Sequence, residues 1–281
     1  MTTPVQAIFI TGASTGIGRA CAVYLAQRGW RVFAGVRRVS DGRALTVASA
    51  NITPIVVDVT KAAQITRAIK TVQKAVGRNG LQALVNNAGI AVTGPLEFLQ
   101  IDELRRQFEV NFIGQVAFTQ ACLPLLRSGR GRVINVSSIS GKVAAPLLVP
   151  YSASKFALEA FTDGLRRELS PWKLPVVSIV AGSIATPIWK KTIDTADHMR
   201  TGLPRRAESL YGPMIARGYQ RAERSAARGV PVEQFAALVE RILLAERPRT
   251  RYIIGTGTWL AATLARLLPD RWMDAIIRHT Y

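Results

Sequence analysis

Cysteine and histidine are nearly absent from this chain, two of each in 281 residues. Cys21 and Cys122 cannot build a disulfide framework, and neither sits in a CxxC pair, so a reducing cytoplasm is the expected compartment. His198 and His279 have no cysteine or carboxylate company at ligand spacing, so no metal site is expected. Acidic residues are scarce: 18 Asp+Glu face 37 Lys+Arg, a formal charge of +19. Such a field attracts nucleic acid, anionic membranes and small anions alike. The excess is spread over the chain, +12 in residues 1–189 and +7 in 190–281, with no block, tail or reading motif. A nucleic-acid partner is therefore not expected. Long apolar runs are missing too. The longest uncharged stretch, 79–96, is broken by Gly80, Asn86, Asn87, Gly89, Gly94 and Pro95, which excludes a spanning helix. The opening MTTPVQAIFITG has no basic region ahead of its apolar run and does not read as a signal peptide.

What remains is a well-mixed chain with 48% hydrophobic and 20% charged residues. That composition excludes disorder and suits one large α/β domain, 1–281, able to bury its own core. Short apolar runs of strand length recur at Ala7–Ile10, Arg31–Val36, 54–57, Ala83–Asn86, 132–136 and 176–180. Helical stretches separate them at about 17–28, 61–76, 101–126 and 152–169. The runs are continuous rather than alternating, as in strands buried on both faces, so a parallel sheet covered by helices is expected. After Pro187 the regularity lapses. Residues 188–229 are charged and turn-rich, the mark of a lid or binding loop with one or two helices. A helix at 233–246, a strand at Arg251–Ile254 and two amphipathic helices at 259–268 and 270–279 complete the reading.

Four motifs carry chemistry. The first is Thr11-Gly12-Ala13-Ser14-Thr15-Gly16-Ile17-Gly18, after a strand and opening a helix. Glycines let the backbone approach a pyrophosphate, and the helix N-terminus offers it free N–H groups and a positive dipole end. The Gly-xxx-Gly-x-Gly spacing differs from the GxGxxG of many dinucleotide folds. The second is Arg37-Arg38 at the end of the second strand. An acid there grips a ribose 2′-OH and an arginine accommodates a 2′-phosphate, so NADP is favoured over NAD; the alternative is a pair of solvated surface charges. Asp58, ending the third strand, either accepts from the adenine amino group or caps the helix starting near Thr60. The third motif is Asn86-Asn87-Ala88-Gly89 at a strand end. The fourth is Tyr151-Ser152-Ala153-Ser154-Lys155, whose phenol and ammonium share a helix face. An ammonium beside a phenol favours phenolate and pulls the tyrosine pKa down, as a general acid/base for an alcohol or carbonyl oxygen requires.

Taken together, TGASTGIG, NNAG and a Ser138 thirteen residues ahead of YSASK resemble the short-chain dehydrogenase/reductase family, in the family's order over residues 6–187. The resemblance implies a doubly wound Rossmann-type parallel sheet with a helical lid and C-terminal helices. It makes Tyr151 the proton donor or acceptor, with Lys155 lowering its pKa and holding the nicotinamide ribose. Ser138 would bond the reacting oxygen, and Asn111 would hold a proton-relaying water. Gly12, Ser14, Ile17, Asp58, Asn87 and Thr186 match cofactor contacts. Thr15, Gly16, Gly18, Arg38, Val59, Ala88, Gly89 and Ile184 adjoin them in the expected site, and Arg37 matches the arginine that meets a 2′-phosphate. Two departures stand out: Ala181-Gly182 replaces the family's Pro-Gly, which should loosen that turn, and Thr15 occupies a place that is basic in some NADP-using members.

The residues expected around the substrate are mostly apolar: Val92, Ala145, Leu148, Ile188 and Trp189, with Ser138 and Tyr151. Such a pocket suits a lipophilic alcohol, ketone or aldehyde, and the chain looks like the retinol/hydroxysteroid-dehydrogenase branch. Leu260, Leu264, Leu267 and Leu268 share a helical face with Arg266, Arg271 and Arg278 nearby. That helix would lie on an anionic membrane, cover a partner subunit or pack on its own domain. By resemblance the helices near 101–126 and 152–169 pair between subunits in a homodimer or homotetramer. A cofactor-binding regulator without turnover is the alternative function, and the complete Asn111–Ser138–Tyr151–Lys155 set argues against it.

Overall fold

Runs of Val, Ile and Phe too short for helices become the strands of one sheet: β1 (Ala7–Ile10), β2 (Arg31–Val36), β3 (Ile52–Val56), β4 (Ala83–Asn86), β5 (Arg132–Ser138), β6 (Val176–Ala181) and β7 (Arg251–Ile254). Their order is β3-β2-β1-β4-β5-β6-β7, and every neighbouring pair is parallel. The chain works outward from β1 to one edge, then crosses back to β4 and builds the other. The connecting helices are α1 (Gly16–Gln27), α2 (Val39–Ala48), α3 (Ala62–Val76), α4 (Ile101–Phe108), α5 (Gly114–Ser128), α6 (Val149–Glu168), α7 (Arg205–Ala227), α8 (Val232–Leu244), α9 (Thr258–Leu267) and α10 (Asp270–Thr280). The computed structural model describes residues 6–189, 193, 194, 202 and 204–280, with side chains as far as 278. His198, the His279 side chain and parts of the expected lid (190–192, 195–201 and 203) lie outside the described residues.

Helices cover both faces of the sheet, which is why the strands read as unbroken apolar runs. One layer buries Ile8, Ile10, Val32 and Ile134 against Leu25 of α1 and Phe235 of α8. The other buries Phe9, Phe33, Leu84 and Val133 against Val72 of α3 and Phe118 of α5. The Phe9 and Phe118 rings meet at 4.7 Å between centroids. Among the described residues no helix is long and apolar enough to cross a membrane.

Three elements differ from the sequence expectation. The single helix expected over 101–126 is interrupted by a π-helical turn, Glu109–Ile113. At Gly114 a Cβ would come within 2.7 Å of the Val59 carbonyl and 2.9 Å of that of Glu109, so the chain packs there where a side chain could not. β3 starts at Ile52 rather than at residue 54 because it is an edge strand, where Pro54, with no N–H to give, is tolerated. Helix α2 was not expected, since it buries only Gly42 and Leu45 and so leaves no apolar periodicity.

Candidate active site

The carboxyl ends of β1, β4, β5 and β6 open on one side of the sheet at the point where strand order reverses, the usual crevice for ligands in such folds. There the glycine turn joins β1 to α1. Gly12 and Gly16 take φ of +65° and +56°, left-handed conformations that favour glycine. A Cβ on Gly12 would stand 2.8 Å from the Ala88 Cα, and one on Gly18 2.4 Å from the Gly12 carbonyl oxygen. Asn87 fastens the turn to β4, donating through Nδ2 to the carbonyls of Thr11 (3.0 Å) and Gly12 (3.1 Å). The Thr11 hydroxyl in return accepts from the main-chain N–H groups of Asn87 and Ala88 at 2.9 and 3.0 Å. Helix α1 begins at Gly16 with no acid in its first turn, which keeps the positive dipole end open to an anion. The turn therefore fits a dinucleotide pyrophosphate.

At the far end of this track Arg37 and Arg38 follow β2 and are exposed. Arg38 flanks α2 and pairs with Asp41 at 3.3 Å, whereas among the described residues Arg37 makes no ion pair. Asp58 spends Oδ1 on Thr60, accepting from its N–H at 2.9 Å and its hydroxyl at 2.8 Å. The Val59 side chain is packed in the core, so only its main chain could face a cofactor.

Ser138 ends β5, and Tyr151 and Lys155 lie one turn apart on α6, whose start is set by Pro150. The Ser138 hydroxyl accepts from the Ser140 N–H at 3.1 Å and also bonds the Tyr151 phenol. Burial pushes the phenol pKa up, and the Ser138 bond opposes it only in part. The phenol thus keeps its proton at neutral pH, contrary to the expectation that Lys155 would pull it down. The reason lies in the ammonium's position: Nζ is 5.9 Å from the Tyr151 ring centroid and donates to the Val136 carbonyl at 2.8 Å. Burial lowers the Lys155 pKa to about 8, with Glu159 acting to raise it. Asn111 sits in the π-helical turn and is wholly buried. Its amide is engaged with the Ile90 main chain, accepting at 2.8 Å and donating at 2.9 Å, and donates to Ser154 at 3.3 Å. Its side chain thereby ties the π-helical turn to the loop after β4 and to α6.

Sequence reasoning missed the polar support behind Lys155. Glu159, one turn further along α6 and 4% exposed, meets Lys142 Nζ at 2.7 Å and Arg251 Nε at 2.8 Å. It also accepts a short hydrogen bond from Ser178. Burial alone would raise its pKa, but these partners outweigh it and hold the carboxylate below its ordinary range. Arg251 continues to Asp163 at 2.7 Å. The signal was present as Tyr151, Lys155 and Glu159 at successive four-residue steps, but Lys142 and Arg251 come from distant segments.

A cavity of about 450 Å³ is lined by Tyr151, Lys155 and Ser138. Ile17, Asn87, Gly89, Ile184 and Thr186 line the side toward the glycine turn, and Ala145, Leu148, Ile188 and Trp189 the other. Val92 does not line it: the residue is fully buried, with its N–H held by Gln107 at 2.7 Å. The turn after β6 is held without the family's proline, because Gly182 donates to the Ile254 carbonyl at 2.7 Å and Ser183 accepts from Val230 at 2.9 Å. Walls absent from the sequence expectation come from Phe98 and Leu99, from Ile215 and Tyr219 of α7, and from Met273 and Ile277 of α10. The apolar face expected on the penultimate helix is divided: Leu264 lines the cavity, while Leu260 and Leu267 point outward.

Residues 6–197 match the family model of the short chain dehydrogenases. The chain is 36% identical over 273 residues to the NADPH-dependent 3-dehydrocapnine reductase of Ornithobacterium rhinotracheale, covering 95% of this chain and 94% of that one. It is 35% identical over 277 residues to retinol dehydrogenase 5 of Mus musculus, covering 96% and 87%. The crystal structure of a short chain dehydrogenase from Burkholderia cenocepacia J2315 in complex with NADP superposes with a TM-score of 0.74 at 27% identity, over 99% of each chain. With the fold and these likenesses together, the chain belongs to the short-chain dehydrogenase/reductase family of nicotinamide-dependent oxidoreductases acting on alcohol and carbonyl groups, in a branch similar to the retinol and hydroxysteroid dehydrogenases.

Proposed function

We propose that this protein is an NADP(H)-dependent oxidoreductase that interconverts a lipophilic alcohol with its ketone or aldehyde. The observation that carries the reading is the meeting of Tyr151, Ser138 and Lys155 in the wall of a cavity that is otherwise lined largely by apolar side chains. The nicotinamide supplies or takes the hydride. Tyr151, still carrying its proton, gives it to the carbonyl oxygen, and Ser138 bonds that same oxygen. Lys155 stands behind the phenol as a cation and would hold the nicotinamide ribose. Gly12, Ser14, Thr15, Gly16, Ile17 and Gly18 would seat the pyrophosphate, and Ile184 and Thr186 the nicotinamide end. Arg37, without an ion pair among the described residues, is the group offered to a 2′-phosphate, and it supports NADPH over NADH.

A homodimer or homotetramer is supported by apolar side chains left on the outer faces of the helices expected to pair: Ile101, Ile113 and Phe156 are 59%, 47% and 43% exposed. The test of the enzyme reading is titration with NADPH and with NADH, followed by nicotinamide fluorescence, and then a turnover screen of lipophilic ketones and aldehydes. Tight NADPH binding with turnover that Tyr151→Phe removes, at unchanged cofactor affinity, is the expected result. Binding without turnover of any carbonyl would leave the regulatory alternative, and turnover surviving in Tyr151→Phe would remove the proposed donor.

A further inference from the structure

The turn between β5 and α6 has a leucine where a glycine is expected. Leu148 donates its N–H to the Ala145 carbonyl at 3.2 Å and closes a four-residue turn, with Pro146 second and Leu147 third. Proline sets up such a turn, and a third residue with positive φ is ordinarily glycine or asparagine. Here Leu147 takes φ +62°, a conformation that is costly for a bulky side chain and persists only where its surroundings hold it. The Leu147 carbonyl accepts from the Gly94 N–H at 2.8 Å, which ties the turn to the loop after β4. Helix α7 breaks the opposite rule at the same place. Gly218 lies in its interior, where glycine weakens a helix. A Cβ there would stand 3.1 Å from Leu147 Cδ1, and among the described residues it would meet nothing else within 4 Å outside its own helix. The leucine side chain is thus seated on bare helix backbone, and both residues line the catalytic cavity. Two local preferences are broken at one contact, and that contact joins two walls of the cavity.

We infer that Leu147, seated on Gly218, sets the width of the substrate cavity and makes the protein select slim, unbranched carbonyl chains over bulky rings. The inference rests on the alcohol–carbonyl reading of that cavity and narrows its substrate. Leu147 is fixed twice, by its main chain at Gly94 and by its side chain at Gly218. A wide substrate has to lift the leucine off the glycine or move α7, whereas a slim chain does neither.

The test uses 2-dodecanone and cyclododecanone, equal in carbon number and different in girth. Both are titrated against the whole protein by quenching of tryptophan fluorescence, which Trp189 reports from the cavity wall. The open chain should bind at least tenfold more tightly, the scale of a cavity overfilled by the ring. Leu147→Gly, which suits the left-handed turn, should cut that preference at least fivefold by admitting the ring. With NADPH present, the same change should appear in the ratio of the two KM values more than in that of the kcat values. Gly218→Ala should press on Leu147 and weaken 2-dodecanone binding about threefold, and the same alanine should have no effect once Leu147 is glycine. Equal affinities in the wild type, a preference that survives Leu147→Gly, or an alanine effect that is the same with and without Leu147 would overturn the inference. Thermal denaturation of each variant verifies its fold. A preference that follows Leu147 in a protein that reduces neither ketone would uphold the width-setting role and remove the enzyme reading. Turnover of both ketones with no preference would do the reverse, so the two failures are distinguishable.

Discussion

Lys155 and Glu159 stand one helical turn apart on α6, the first donating to the Val136 carbonyl at 2.8 Å and the second bound to Lys142 at 2.7 Å. The carboxylate works against the desolvation that lowers the Lys155 pKa to about 8. Tyr151, Glu159, Lys142 and Arg251 are the ionisable groups gathered around this ammonium from α6, the turn after β5 and β7. Below pH 8 Lys155 is charged, and the charge is lost as pH rises through that value. Turnover should therefore fall on the alkaline side near pH 8. Glu159→Gln removes the opposing carboxylate and leaves two cations, so the alkaline limb of kcat/KM should move to lower pH. Breaking the buried pair should also cost about 3 kcal/mol of stability. Glu159→Asp should keep most of the original limb. An unshifted limb in Glu159→Gln would limit the residue to packing.

The same network sets the acid stability. Burial tends to raise the pKa values of Glu159 and Asp163, and their cationic partners lower both below the unfolded values. A folded pKa below the unfolded one contributes stability above the unfolded pKa, near 4, and loses it as pH falls through the folded value. The Tm should thus be flat from pH 7 to 5 and drop below about pH 4. Arg251→Leu should lower the Tm at pH 7 and flatten that acid limb, because the carboxylates it holds then titrate closer to their ordinary range. Parallel Tm curves for the two proteins would rule out this linkage.

The glycine turn allows a sharp comparison of two alanine substitutions. At Gly18 a Cβ would be driven to 2.5 Å from Asn87 Nδ2 as well as onto the Gly12 carbonyl, whereas nothing lies within 4 Å of a Cβ at Gly164. Gly18→Ala should push α1 away from β4, reducing NADPH affinity more than tenfold and lowering the Tm. Gly164→Ala, in an exposed position of α6, should raise stability by about 0.5–1 kcal/mol. Calorimetric scans and the NADPH titration check both.

The sheet was legible because strands buried on both faces announce themselves as apolar runs, as at Arg31–Val36. The glycine turn and the Tyr151–Lys155 pair are each continuous in sequence, so their local geometry could be read from spacing. Helix α2 was hidden because it buries almost nothing. Val92 was misplaced because an apolar residue after a strand end looks the same whether it faces a cavity or, as here, the interior. The Glu159 network and the wall supplied by α10 join segments up to a hundred residues apart or more, and no local pattern encodes such a meeting. The rise of the Tyr151 pKa was missed for a related reason: spacing gives the neighbour but not the depth of burial.

Helix α10 offers the last test. Met273, Ile276 and Ile277 line the catalytic cavity, while Trp272 on the same helix is 67% exposed, as is Trp259 on α9. The inner side chains close the apolar end of the cavity, so deleting residues 270–281 should open it to water. KM for a long-chain ketone should then rise at least tenfold, while a short, soluble ketone, too small to reach α10, should keep its kcat/KM. The outward tryptophans make a second readout possible on the same variant, through sedimentation with anionic vesicles. Loss of long-chain affinity with unchanged vesicle sedimentation would make α10 a cavity wall alone. Loss of both would mean that the helix also touches a lipid surface, bringing the lipophilic substrate to the mouth of the site. An unchanged KM for the long-chain ketone would exclude the wall role.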